Sequence, residues 1–371
     1  MAQPLRTLLS GFALATSWTW CIGMFAPILI GQLMGWPGIV AFAIPNVLGC
    51  ALFGYLRSAE VSRRETNDHA PMMAFFSAAT IAYQVFFAGW LWGPVLAESY
   101  RITTGEGTML ASGGVFGVAV LLAALPRGIV WLVAAGALPL SLATFALLPW
   151  DSAHTVATRG EWPPEALVFV LPTILFGFAL SPNLDLTFHR ARQEVRTGER
   201  PTNFAVFGVA FASMLVLTVC YGAVMKGGLN SPAVRAHMGL QLALTSALHL
   251  SELRIARITP NWRMLLGLGA GVAGLVAALA APGRETYFRF LGLYGLLFPA
   301  YALLALRTAG RPTRAHWFVL LASCGLVAPL LDRGFNDQPS MWTPLAFLIP
   351  VGAIVLATRR GSRSTEPAAS T

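Results

Sequence analysis

Charge is what this chain has least of. Asp, Glu, Lys and Arg make up 11% of its 371 residues, against about 25% in soluble domains, while 56% are hydrophobic. Apolar runs recur that are long enough to cross a bilayer, which excludes an ordinary soluble core and sets the fold class as an all-α polytopic membrane protein. Cysteine is scarce too. Cys21, Cys50, Cys220 and Cys324 sit in separate apolar runs without paired spacing, so neither a disulfide framework nor a zinc site is indicated and packing in the membrane is the plainer reading. Of six histidines, His69, His154, His237 and His316 fall in or beside loops, which gives little support to buried haem or copper ligation. There is no HExxH, no nucleophile elbow and no large extramembrane loop to house a donor substrate. The first apolar run continues past the length of a signal-peptide core, so it is not a cleavable leader. The net charge of +9 is spread over short loops rather than gathered in one patch, which argues against nucleic acid as a partner.

What is present is a run of hydrophobic windows. Twelve spans are expected, at about 5–33, 37–56, 71–98, 108–125, 128–149, 164–190, 203–225, 233–253, 264–282, 286–306, 316–332 and 341–358. Placing the N-terminus inside puts 18 of the 25 Lys and Arg on the cytoplasmic side and 7 outside. That bias predicts a multi-pass protein of a bacterial-type inner membrane with both termini cytoplasmic. Residues 359–371 read as a disordered cytoplasmic tail. Trp36, Trp150, Trp162, Trp262, Trp317 and Trp342 fall near span ends, where amphipathic rings favour the interface. Trp18, Trp20, Trp90 and Trp92 lie deeper, lining a cavity or packed between helices. Gly113 with Gly117, and Gly267 with Gly271, are expected at close helix contacts.

Two spans look broken. Span 6 is 27 residues long and as one helix would rise roughly 40 Å, against a hydrocarbon core of about 30 Å. It carries Ser181-Pro182-Asn183 and then Asp185. Proline removes a backbone donor, and Ser and Asn bond to freed backbone groups. Asn183 is expected to cap a second half-helix beginning near Leu184, with Asp185 in its first turn. Span 1 is also overlong, with Thr16, Ser17 and Thr19 in its middle and Gly23 and Pro27 beyond. Gly-Phe-Ala-Leu precedes both polar clusters, at residues 11–14 and 177–180. Span 1 and span 6 run in opposite senses, five spans apart. Interrupted helices at corresponding positions of two inverted halves are the best sequence pointer to a transporter site; two proline-kinked structural helices are the alternative.

The run PTILFGFALSPNLDLTFHRARQ resembles the sixth core helix of the sodium/solute symporter family, and SWTW followed by small residues is similar to that family's first core helix. His189 stands where the family has glutamine. The wider resemblance is to the LeuT-type five-plus-five inverted-repeat superfamily of amino acid-polyamine-organocation transporters. It implies one transmembrane domain over 1–358, with repeat one at about 5–149, repeat two at about 164–306 and two extra helices at about 316–358. It also implies secondary active transport of a small organic solute by alternating access, coupled to sodium.

On span 8, Gln241, Thr245, His249 and Glu252 form one polar stripe facing the bundle. The resemblance places a sodium ion between Thr245 and Ser246 and helix 1 carbonyls around Ala15 and Trp18. The alternative is that both hydroxyls bond back to their own helix. No other cofactor is expected. The expected substrate residues are Thr16, Ser17, Trp18, Trp20, Ser181, Asn183 and Asp185 at the breaks, with Tyr83, Gln84 and Phe87 from an aromatic stripe on span 3 that equally suits tight packing. Asp185 and His189, at i and i+4, are expected to pair as a proton relay or inner gate, or to lie on a solvated face. Arg190, Arg192, Arg196 and Arg200 are expected to serve topology and lipid contact. Partners are therefore a small molecule, a coupling cation (sodium or a proton) and membrane lipid. An intramembrane transferase or hydrolase using Asp185, His189 and Glu252, and a sensor that has lost transport, are the rival classes.

Overall fold

The computed structural model describes residues 3–19, 21–146, 160–196, 199–228, 232–308 and 310–363. Among them the secondary structure is entirely helical. In chain order the helices are α1 Gln3–Trp18, α2 Cys21–Ile44, α3 Cys50–Leu56, α4 Ala59–Asp68, α5 Ala70–Tyr100, α6 Thr104–Ala124 and α7 Arg127–Ala146. There follow α8 Glu165–Leu180, α9 Leu186–Gln193, α10 Thr202–Gly228, α11 Pro232–Ile255 and α12 Pro260–Ala280. The last are α13 Arg284–Gly292, α14 Phe298–Arg307, α15 Arg314–Asn336 and α16 Leu345–Arg363. Among the described residues, seven helical stretches are long and apolar enough to cross a membrane. Large apolar side chains on the outer surface, such as Val209, Leu326 and Phe318 at 72–74% exposure, fit lipid rather than water.

α2 turns at Gly35, whose φ of 65° and ψ of −160° divide it into two helices. Only glycine takes that conformation without cost. The loop before α8 closes on this turn, with Glu161 and Trp162 N–H donating to the carbonyls of Gln32 and Leu33 at 3.0 and 2.8 Å. α5 lies at the centre and is buried over almost its whole length, against α6, α11 and α12. Helix α4 was not expected. Its composition is polar, Ser58 caps it, and it lies on α9. The three cysteines whose side chains are described are buried and unpaired.

Two π-helical turns, Pro45–Gly49 between α2 and α3 and Leu293–Leu297 between α13 and α14, both pack against α8. The approach is backbone to backbone. A Cβ at Gly177 would stand 2.8 Å from the Tyr294 carbonyl oxygen, and one at Gly49 would stand 3.2 Å from Ala179 Cα. The wider π turns thus bring main chain against the half-helix that leads to the site. The expected glycine contacts divide. Gly271 meets the ring of Phe116 and Gly267 meets Leu250, but Gly113 and Gly117 face open space.

Gly177→Ala is expected to lower the apparent melting temperature in detergent. Overpacking costs about 1–3 kcal/mol, more than the ~1 kcal/mol that alanine gains in helix propensity. Gly113→Ala, with room for its methyl, is expected to leave that temperature unchanged or raise it.

Candidate functional site

The chain breaks where the polar residues stand. α1 ends at Trp18, and the N–H and the hydroxyl of Thr19 both turn back to the Ala15 carbonyl, at 2.8 and 2.7 Å. The helix restarts at Cys21, whose N–H is received by Gln84 Oε1 of α5 at 3.2 Å. A side chain from another helix thus takes one of the orphan donors of a helix start. After α8, Ser181–Asn183 make one 3₁₀ turn. Asp185 follows in extended backbone and caps α9, its Oδ1 accepting from the N–H and the hydroxyl of Thr187, both at 2.7 Å. The cap is therefore Asp185 rather than Asn183, and α9 begins at Leu186. Asn183 is used elsewhere. Its Oδ1 accepts from Arg57 at 2.7 and 3.2 Å, and its Nδ2 donates to the Leu180 carbonyl.

The two breaks meet. Ser17 Oγ lies 3.0 Å from Thr187 Oγ1, and the Trp18 and Phe188 rings pack edge to face at 4.9 Å. Trp18 Nε1 donates to Asn46 Oδ1 at 2.7 Å. Asn46 lies in the first π turn, where no sequence signal marked it. Tyr287 OH donates to the Cys21 carbonyl at 3.3 Å, and Tyr83 OH donates to the Tyr287 carbonyl at 3.0 Å. Thr245 Oγ1 of α11 donates to the Thr16 carbonyl at 2.8 Å, and Thr16 Oγ1 donates to the Ala134 carbonyl of α7 at 2.9 Å. The neighbouring Ser246 hydroxyl is fully buried with no hydrogen-bond partner. The Ser181 hydroxyl turns back to the Gly177 carbonyl. Trp20 lies outside the described residues.

The polar stripe of α11 faces inward as expected: Gln241, Thr245, His249 and Glu252 are all buried. The expected pairing of Asp185 with His189 does not form. His189 Nε2–H donates to the Asn183 carbonyl at 3.0 Å, which leaves Nδ1 to accept from Ser62 Oγ of α4 at 2.9 Å. The ring is oriented by the N-terminal half of the chain, on the helix that sequence did not reveal. Asp185 instead directs Oδ2 at His249 Nε2, 3.9 Å away, with both side chains fully buried.

The two ends of the site differ in chemistry. On the side away from the N-terminus, Phe25, Phe87, Trp90 and Tyr287 pack ring against ring at 5.2–6.0 Å, and Tyr83 stacks on Phe290 at 5.0 Å. This seal contains Tyr83 and Phe87 of the expected aromatic stripe. A small apolar cavity of about 30 Å³ lies beside it, between Ile30, Phe42, Trp162 and Phe288. On the N-terminal side the closure is ionic. Arg127 reaches Glu194 at 2.6 Å and Glu252 at 3.3 Å, and Arg190 reaches Glu252 at 3.2 Å. Burial raises the Glu194 carboxyl above the usual range, and Arg127 offsets part of that rise. Arg192 donates to the Arg57 carbonyl. Arg190 and Arg192 thus tie helices together, beyond the topological role expected of them. A vestibule of about 350 Å³ opens here between Arg6, Glu194, Arg196 and Asn203. A smaller cavity of about 30 Å³ continues inward to Ser17 and Thr187.

No family model and no curated protein matches the chain. Among solved structures, it is similar to Mhp1, a nucleobase-cation-symport-1 family transporter in a closed conformation with bromovinylhydantoin bound. The TM-score is 0.51 and the identity 13%, over 96% of this chain and 91% of that one. A manganese transporter from Eremococcus coleocola, in complex with an aromatic bis-isothiourea substituted compound, overlaps at TM-score 0.45 and 14% identity, over 98% of this chain and 97% of its own. The fold is LeuT-type, as the broken spans led one to expect. The sodium/solute symporter family itself is not distinguished by this likeness.

Arg127→Ala is expected to loosen the N-terminal closure. In a Ser17→Cys background, labelling by a membrane-impermeant maleimide should rise roughly tenfold, equivalent to about 1.4 kcal/mol, a modest figure because Arg127 is partly exposed. An unchanged rate would mean these ion pairs do not hold that face shut.

Proposed function

We propose that this protein is a secondary carrier that moves a small organic solute across the membrane by alternating access, coupled to a cation. One observation carries the reading: two interrupted helices meet at the centre of the bundle, Ser17 against Thr187 at 3.0 Å, in the fold of a known transporter. Broken helices at bilayer depth expose backbone dipoles to a ligand. The closures on either side, one aromatic and one ionic, are built differently and can open separately. The vestibule on the N-terminal side gives access from one aqueous phase while rings close the other.

In this reading Trp18, Gln84, Phe87 and Ser17 line the substrate position. Gln84 supports it most directly, because its Nε2 is fully buried without a hydrogen-bond partner, a state that a ligand acceptor would relieve. Thr16, Ser181 and Asn183 serve the architecture of the breaks through the bonds described above. The excess of basic residues supports a cytoplasmic N-terminal face, in a plasma membrane whose lipids would meet the apolar outer surface. The enzyme alternative is disfavoured by the separation of its candidates. Asp185 sits at the centre, His189 is held by α4, and Glu252 is ion-paired with two arginines.

Sodium is the cation implied by the resemblance. Thr245 and Ser246 are hard oxygen donors beside the helix 1 carbonyls. The Ala15 carbonyl already accepts twice from Thr19 and the Thr16 carbonyl accepts from Thr245, so an ion held there would share or replace these bonds. The test is intrinsic tryptophan fluorescence of the purified protein, titrated with sodium against potassium and choline at fixed ionic strength. Sodium coupling predicts a saturable change with sodium alone, lost in Thr245→Ala/Ser246→Ala; a response shared by all three salts rejects it. For a substrate found by screening uptake in proteoliposomes, Gln84→Ala should weaken apparent affinity about tenfold, the weight of one buried hydrogen bond. Full affinity would remove Gln84 from the site.

A further inference from the structure

The Asp185–His249 contact has no role in the architecture described so far. Asp185 Oδ1 is committed to capping α9. Oδ2 is buried and makes no hydrogen bond of good geometry, and neither does His249 Nε2, which it faces; the Ser17 main chain also lies against the His249 ring. The separation of 3.9 Å is about 1 Å too long for a hydrogen bond. The rest of the imidazole is fixed, since Nδ1 lies 3.1 Å from Ser77 Oγ of α5. In the tautomer in which Nδ1–H donates to Ser77, Nε2 presents a lone pair to the carboxyl group. Two unmet, fully buried polar atoms pointed at one another are costly unless something bridges them.

A route leads to this pair from water. Thr187 Oγ1 donates to Asp185 Oδ1 and lies 3.0 Å from Ser17 Oγ. Ser17 and Thr187 line the cavity of about 30 Å³ that also meets Ser10, Arg127 and Glu252, a space large enough for a water molecule. Ser10 also lines the vestibule at the N-terminal face. Hydroxyl groups thus line the way from the vestibule, past Ser10, to the carboxyl; Ser17 Oγ donates to the Leu14 carbonyl and Thr187 Oγ1 to Asp185 Oδ1, so both hydroxyls must turn for a proton to pass.

We propose that Asp185 and His249 form a buried proton-binding site, loaded from the N-terminal face through the cavity between Ser10, Ser17 and Thr187. The step is a transfer of one proton from hydronium in the vestibule to the Asp185 carboxylate, which leaves a water molecule. The resulting acid O–H donates from Oδ2 to His249 Nε2, and no other bond is made or broken. The hydrogen bond draws the start of α9 toward α11, so proton occupancy is tied to the geometry of the break where solute is proposed to bind. The other titratable groups facing the pair are Cys50 of α3 and Tyr294 of the second π turn. His189, one turn along α9, is turned away to Ser62. Glu252, further along α11, is held by Arg127 and Arg190. This inference rests on the carrier reading, and it supplies a coupling ion whether or not the hydroxyls of α11 hold sodium.

The test is infrared difference spectroscopy of the full-length protein in lipid, stepped in pH and repeated in D₂O. The expected result is a deuterium-sensitive carboxylic-acid band that titrates, is lost in Asp185→Asn, and changes frequency in Asp185→Glu. His249→Gln should shift its midpoint by about one to three pH units, while Glu106→Gln, at an exposed helix cap, should leave it unchanged. A band that survives in Asp185→Asn, or a midpoint indifferent to His249→Gln, overturns the proposal. Asp185→Glu that runs as a monodisperse species on size exclusion separates loss of the proton site from loss of the fold. Uptake in proteoliposomes distinguishes the two readings. Solute uptake that ignores both the pH gradient and Asp185→Asn would leave the carrier standing without this site. A titrating Asp185 in a protein that carries no solute from a broad panel would leave the site standing without the carrier.

Discussion

A backbone that leaves the helix inside a membrane must find other partners for its N–H and C=O groups, and this requirement governs the centre of the molecule. Two interruptions lie side by side, and each is satisfied differently. The first uses Thr19 to close α1 and Gln84, from α5, to receive the first N–H of α2. The second uses Asp185, within its own segment, to start α9. Helices α5, α7, α11 and α13 then reach the first break through Gln84, the Ala134 carbonyl, Thr245 and Tyr287. The contacts from Gln84, Thr245 and Tyr287 carry hydrogen bonds that the broken main chain would otherwise lack.

The helices around the breaks are held in two different ways. α8 is held by main-chain contact through Gly49 and Gly177. α1 and α9 meet the polar N-terminal face, where Arg127, Arg190, Glu194 and Glu252 hold them through charge. Ion pairs at a partly hydrated rim break more readily than ring packing in a dry core, because water competes with them for the charges. The aromatic closure lacks that competitor. The proton site proposed at Asp185 lies at the junction of these regimes, where α9 begins.

Much of this arrangement was legible in the residues. Ser181-Pro182-Asn183 and Thr16-Ser17 announced their breaks, because proline and short hydroxyls in an overlong apolar run have few other uses. The inward stripe from Gln241 to Glu252 was legible from helical spacing alone. Partner choice was not. Asp185 and His189 stand four residues apart and suggest a pair, yet the extended backbone at Asp185 turns the carboxyl away and α4 takes the imidazole. Asn46, Tyr287 and Tyr294 carried no local pattern, since each acts across the bundle on a residue far away in the chain. The glycines at 113 and 117 show the converse, a local pattern with no neighbour to meet.

Sequence by itself determined that this chain is helical, apolar on its outside, and interrupted at two places, because those properties depend on composition and on the chemistry of neighbours along the chain. Only the tertiary structure decided that the interruptions face one another, that Gln84 caps one of them, and that His249 rather than His189 looks at Asp185. Those outcomes depend on which helix faces which and at what height, and hydrophobic burial, which drives the packing, has no direction of its own.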